Sequence, residues 1–175
     1  MQNSKGMVVK MTFTEFFVSI FTGNNLALIG AAVALIVAGA GSCRGVMIVG
    51  EAASGVIADD PTKFGKAIVL QALPGTQGLY GFVTAFMVLI KLNVFGETAT
   101  LSLEQGMFIL AACLPIAIIG YISAIKQGRV AAAGINILAK RPDQAMKGVI
   151  SAALVETYAA FAFLVSLLPI LLMQI

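Results

Sequence analysis

Residues 148–175 read GVISAALVETYAAFAFLVSLLPILLMQI, an apolar run broken by a single charge, Glu156. It is longer than the roughly 20 residues a helix needs to cross the hydrocarbon of a bilayer. Working outward, the uncharged windows 16–43, 67–90 and 105–125 also exceed that length. The whole chain is 59% hydrophobic and 11% charged, with a mean hydropathy of +0.99, outside the range of a soluble domain of 175 residues. Strand alternation is absent, and helices satisfy their own backbone hydrogen bonds in lipid. The reading is an all-α membrane protein with four transmembrane helices.

Charge sets the orientation. Arg44, Lys63, Lys66, Lys126, Arg129, Lys140, Arg141 and Lys147 are assigned to the loops joining spans one to two and three to four, while Lys5, Lys10 and Lys91 fall on the other side. That excess predicts cytoplasmic hairpin loops and both termini outside. The net charge of +3 is a topology signal, and no nucleic-acid partner is read into it. The chain has no histidine, which removes the commonest general base and metal ligand, and no catalytic residue is assigned. Cys43 and Cys113 fall inside the predicted spans and read as small packing residues rather than a disulfide or metal pair. Lys5 and Lys10 precede an apolar stretch without an A-x-A-like cleavage site. Phe13, Phe16, Phe17, Ile20 and Phe21 recur at helical spacing, which predicts a short amphipathic helix at the outer interface, with Asn24 and Asn25 at the turn into span one.

An offset of 81 residues lays the second half over the first: Ala72-Leu73-Pro74-Gly75-Thr76 meets Ala153-Leu154-Val155-Glu156-Thr157, Pro61 meets Pro142 and Lys66 meets Lys147. A small shift brings Gly45 onto Gly128. Each repeat holds two spans, so the two are parallel rather than inverted, which favours side-by-side packing in a ring over a rocking carrier. The organisation is an N-terminal extension (1–25), a first helical hairpin (26–92), an outer loop (93–104) and a second hairpin (105–175). Gly75 stands where the second repeat has Glu156, so one carboxylate serves two hairpins.

Of the eight acidic residues, Glu15, Glu51, Asp59, Asp60, Glu97, Glu104 and Asp143 lie in or near the flanking segments, and Glu156 alone is deep. It follows Lys147 by nine residues, about 14 Å of helix. A charge at that depth costs about 2.5 to 3.5 kcal/mol on insertion scales. The carboxylate is tolerable there if it holds a proton or a cation. A hard cation such as Na⁺ needs oxygen ligands. Thr76 and Gln77 follow Lys66 by ten and eleven residues, nearly the same depth, and Leu73, Thr76, Gln77 and Tyr80 share one helical face. Pro74 removes a backbone donor and frees a local carbonyl, such as that of Leu73. Gln127 lies as far before the turn near Lys140 to Pro142 as Glu156 lies after it, so antiparallel packing sets them level. Leu73, Thr76, Gln77, Gln127 and Glu156 are the candidate ion ligands, and Tyr80 can donate its hydroxyl to the carboxylate. Taken singly, Thr76 or Gln77 is equally a packing hydrogen bond; the case rests on shared face and depth.

Three strings carry a family resemblance: Leu73-Pro74-Gly75-Thr76-Gln77-Gly78-Leu79-Tyr80-Gly81-Phe82, Gln127-Gly128-Arg129-Val130-Ala131-Ala132-Ala133-Gly134-Ile135, and Val155-Glu156-Thr157-Tyr158. Over roughly residues 26 to 172 the chain resembles the proteolipid (c or K) subunit of V-type and A-type rotary ATPases, especially the bacterial sodium-pumping kind. The resemblance implies a closed ring of identical subunits in the bilayer of a bacterial plasma membrane, each carrying one ion. It also implies a stator membrane subunit with a basic residue and a central-stalk subunit docked to the cytoplasmic loops. In the sodium-type members, residues matching Leu73, Thr76, Gln77, Gln127 and Glu156 supply the ion's oxygens, and one matching Tyr80 bonds the carboxylate. The N-terminal extension through about Asn25 departs from the pattern. Arg44, paired with Gln127 in the repeat, is expected to face the ring interior or snorkel to the cytoplasmic side. Gly39, Gly41 and Gly45 are expected to permit close helix approach.

Other readings remain at this point. The same rotor can carry H⁺, because a protonated Glu156 needs no Thr76 or Gln127; the polar cluster favours Na⁺. A small four-span antiporter can also use one intramembrane Glu, but lacks this parallel duplication. A purely structural role, with Glu156 as interhelical glue, leaves the matched depth of Glu156, Gln77 and Gln127 unexplained.

Overall fold

The computed structural model describes residues 12–174. Among the described residues every regular element is helical: α1 (Phe13–Ile20), α2 (Gly23–Asp59), α3 (Phe64–Ala72), α4 (Thr76–Lys91), α5 (Leu103–Lys140) and α6 (Ala145–Leu172). Lys5 and Lys10 lie outside the described residues. The helix starts are chemically marked. Thr12 and Glu15 form a reciprocal capping box at α1, Thr22 caps α2, and Ser102 with Gln105 forms a second capping box at α5.

The two hairpin ends are built alike. Pro61–Lys63 and Pro142–Gln144 are single 3-10 turns, and the residue before each proline is pushed out of helical geometry, Asp60 to φ −146° and Arg141 to φ −142°. Their spacing is the 81-residue repeat seen again in the backbone. Thr62 hydrogen bonds hold the exposed Asp60 carboxyl below its ordinary range. Lys63 donates to Ala139 O at 3.2 Å and Lys66 to Pro142 O at 2.9 Å, so cations of the first hairpin satisfy carbonyls at the end of the second. At the opposite end Asn24 is not in a turn but in the first turn of α2, where its amide donates to Ala99 O and its oxygen accepts Leu101 N, both at 2.8 Å. This ties the α4–α5 connection to the start of α2.

Four helical segments are long and apolar enough to cross a membrane: Gly23–Asp59, Pro61–Lys91, Leu103–Lys140 and Pro142–Leu172. The first and third, at 37 and 38 residues, are about 56 Å long, well beyond a hydrocarbon core of about 30 Å. This corrects the loop assignment of Arg44, Lys126 and Arg129, which all lie inside α2 or α5. A charge ends the apolar window but leaves the backbone ladder intact, so the helix continues past it.

Helices α2 and α5 form the closest pair, and small residues make that possible. A Cβ built on Gly128 would stand 2.6 Å from Gly45 O and 2.7 Å from Gly45 Cα; one on Gly41 would stand 2.5 Å from Tyr121 Cα. Gly106 meets Gly23 in the same way near the terminal end. At Gly39 a Cβ would meet nothing within 4 Å inside the subunit, although one on Gly78 of α4 would stand 3.4 Å from Gly39 Cα. Cys113 packs in the core as expected, but Cys43 is exposed on the isolated subunit. The apolar windows of the second and fourth spans are less buried, 33% and 22%, than those of the first and third, 44% each, so α2 and α5 form the centre of the subunit. Tyr158, Phe161, Leu164 and Leu168 of α6 are all exposed.

The interior has three layers. Toward the terminal end lies an apolar cluster including Ala34, Val88, Ile109 and Ile116; toward the hairpin end lies another with Val49, Leu70, Ile135 and Leu138. Between them sit buried Ser42, Gln77, Ser123 and Gln127. Buried polar side chains between two dry layers must find partners in one another.

Candidate ion site

The second span is interrupted where the site begins. Pro74 lacks the N–H that would bond one turn back, and Leu73–Gly75 tighten into a 3-10 turn between α3 and α4. The Leu73 carbonyl, turned off the α-helical ladder, accepts both the Thr76 backbone N–H and the Thr76 hydroxyl, the latter at 3.0 Å. Thr76 Oγ1 also lies 3.3 Å from Gln77 Oε1, within reach of its hydroxyl proton.

From there the contacts run across three helices. Gln77 Nε2 donates to Gln127 Oε1 at 2.5 Å and to Ser123 Oγ at 3.3 Å. Gln127 Nε2 donates to Glu156 Oε2 at 3.3 Å, and the Tyr80 hydroxyl donates to Glu156 Oε1 at 2.8 Å. Tyr80 is held by its ring, stacked on Phe163 with centroids 4.9 Å apart. Gln77 and Gln127 are fully buried, whereas Glu156, near the middle of α6, is half-buried at the edge of the unit.

All six residues singled out in the sequence, Leu73, Thr76, Gln77, Tyr80, Gln127 and Glu156, are therefore linked in one hydrogen-bonded chain. Its oxygens comprise a backbone carbonyl, two hydroxyls, two amide carbonyls and a carboxylate, with Glu156 the one charge among them. This is the donor chemistry of a hard monovalent cation. Ser123 belongs to the same network, and nothing in the sequence singles it out. Its hydroxyl takes a bond from Gln77 and donates to Val155 O at 3.1 Å.

The family of the ATP synthase C subunit matches this chain twice, over residues 29–88 and 110–168, once on each hairpin. The chain belongs to this family. It is 51% identical over 149 residues to the V-type sodium ATPase subunit K of Enterococcus hirae, covering 85% of this chain and 92% of that protein. To the A-type ATP synthase subunit K of Methanocaldococcus jannaschii it is 41% identical over 143 residues, 82% of this chain and 60% of that protein. The chain is thus a multi-pass membrane proteolipid of a rotary ATPase, a ring-forming rotor protein that does not itself hydrolyse ATP.

The first repeat of this proteolipid has no counterpart site. A Cβ at Gly75 would meet only Val46 Cγ2 at 3.8 Å, an ordinary contact, so room for a side chain exists. The partners do not. The Gly45–Gly128 contact sets Arg44 level with Gln127, but Arg44 is exposed on the outside of the unit.

Proposed function

We propose that the proteolipid carries one Na⁺ per subunit, liganded by the Leu73 carbonyl, Thr76, Gln77, Gln127 and Glu156, with Tyr80 steadying the carboxylate. The observation that carries this reading is the single hydrogen-bonded chain that links those residues to one half-buried carboxylate. Bound Na⁺ leaves the site electrically neutral, the condition under which it can pass along lipid as the ring turns. The name of the Enterococcus hirae relative, a sodium ATPase subunit, supports the choice of ion.

The rest of the assembly follows the same reading. A stator membrane subunit presents a basic residue that displaces the ion from Glu156, and a central-stalk subunit docks on the hairpin turns at Pro61–Lys63 and Pro142–Gln144. These turns face the cytoplasm of a bacterial cell and the termini face outside, with α1, whose Phe13 and Phe16 are exposed, at the outer interface.

The test is reaction of Glu156 with a hydrophobic carbodiimide in the purified ring, across pH, with and without Na⁺. The reagent attacks the protonated carboxyl, so Na⁺ and H⁺ compete for one group, and protection by a fixed Na⁺ concentration is expected to strengthen as pH rises. Labelling that follows pH and ignores Na⁺ makes the ring a proton carrier instead.

Tyr80→Phe refines the same measurement. The substitution keeps the stack on Phe163 and removes the hydroxyl that bonds Glu156 Oε1. A hydrogen bond to a charged group is worth about 1.5 to 3 kcal/mol. The Na⁺ concentration for half-protection is expected to rise at least about tenfold, and an unchanged value would remove Tyr80 from the site.

A further inference from the structure

We propose that Ser123 is a positioning residue that sets which way the Gln77 amide points, and so makes the site a receptor for Na⁺; this rests on the sodium reading above. A glutamine amide has two orientations of nearly equal shape, one presenting its oxygen and the other its NH₂. Here Gln77 Oε1 faces Thr76 and its Nε2 faces Gln127 and Ser123. The reverse orientation aims N–H donors at the Leu73 and Thr76 oxygens and repels a cation.

Gln127 alone is a weak guide, because its own amide can turn. Its Nε2 points at Glu156 Oε2 while that oxygen accepts. When Glu156 takes up a proton, it gains a donor and that restraint loosens. Ser123 supplies a restraint independent of the carboxylate's state. Its proton is committed to Val155 O at 3.1 Å, a backbone carbonyl that can only accept. The hydroxyl therefore offers Gln77 lone pairs alone, and only Nε2 can use them. Ser123 is buried within the subunit. The bonds also tie α4 and α5 to α6 at the residue next to Glu156, holding three helices in register at the site. With Glu156 ionised, the Gln77–Gln127 bond thus has a direction set from both ends, by Ser123 and by Glu156.

The experiment compares the full-length ring with its Ser123→Ala and Ser123→Thr forms. Two values are read for each: the Na⁺ concentration giving half-protection of Glu156 from carbodiimide at one alkaline pH, and the pH midpoint of labelling without Na⁺. Ser123→Ala is expected to raise the first about tenfold, the weight of one buried hydrogen bond, and to leave the second unchanged. Ser123→Thr, which keeps a hydroxyl, is expected to restore most of the Na⁺ response. An unchanged Na⁺ midpoint in Ser123→Ala overturns the proposal, as does an equal shift in the pH midpoint, which would mean that Ser123 acts on Glu156 itself. If the alanine form yields no ring on a native gel, Ser123→Cys fills the same space with a much weaker acceptor and must show the same selective loss. Absence of Na⁺ protection in the unaltered ring overturns the sodium reading, and this one with it, whereas protection there with an unaffected Ser123→Ala overturns this one alone.

Discussion

Glu156→Gln is expected to abolish ATP-driven ²²Na⁺ uptake into vesicles carrying the assembled ATPase, by at least about a hundredfold, while leaving the ring intact. The amide has the shape of the carboxylate and an oxygen that still accepts from the Tyr80 hydroxyl. What disappears is the one negative charge in a network otherwise made of neutral dipoles. Leaving a buried charge without its partner typically costs about 3 to 5 kcal/mol, which is a factor of a hundred or more in ion affinity. Ring recovery on a native gel separates loss of binding from loss of assembly. Uptake within tenfold of the unaltered enzyme would mean that some other group carries the ion.

Gly128→Val is expected to have the largest effect on the protein itself. Its Cβ would have to occupy space 2.6 Å from Gly45 O, and the obstacle is backbone, which cannot swing aside as a side chain can. Parting α2 from α5 also disturbs the layer that holds Ser123 and Gln127, because both are carried by α5. The penalty is about 3 kcal/mol or more, and no ring of native mobility should be recovered. Gly39→Ala is the matched control, with nothing within 4 Å of the new carbon inside the subunit, and should leave the subunit's own packing intact. Equal behaviour of the two variants would overturn the assignment of the α2–α5 contact as the tight seam of the subunit.

Much of this is legible in the sequence because the membrane makes polar groups expensive. Glu156 stands out in an apolar run for that reason, and Gln127 follows from counting an equal distance back from the Pro142 turn. The proline at 74 marks the break that releases the Leu73 carbonyl. What is not legible has equally physical causes. Hydropathy reports where lipid ends and says little about where a helix ends, so α2 and α5 run past Arg44 and Arg129 to Asp59 and Lys140. Ser123 gives no signal because serine is tolerated almost anywhere in a membrane helix; only its bonds to Gln77 and Val155 distinguish it. Gly39 looks like Gly41 and Gly45 in a string of letters, and only the rotation of α2 against its neighbours separates them.

The vacant position at Gly75 bears on energetics rather than on binding. A rotor in which every second hairpin is blank moves fewer ions per revolution than one of equal helix count with a carboxylate on each. If the ATP hydrolysed per revolution is fixed by the catalytic head, its free energy is divided among fewer translocated charges, and each can be lifted against a steeper gradient. On the reading of Glu156 as the sole carrier, the blank at Gly75 is thus a gear ratio: it trades ions moved per revolution for the height of gradient against which each can be moved.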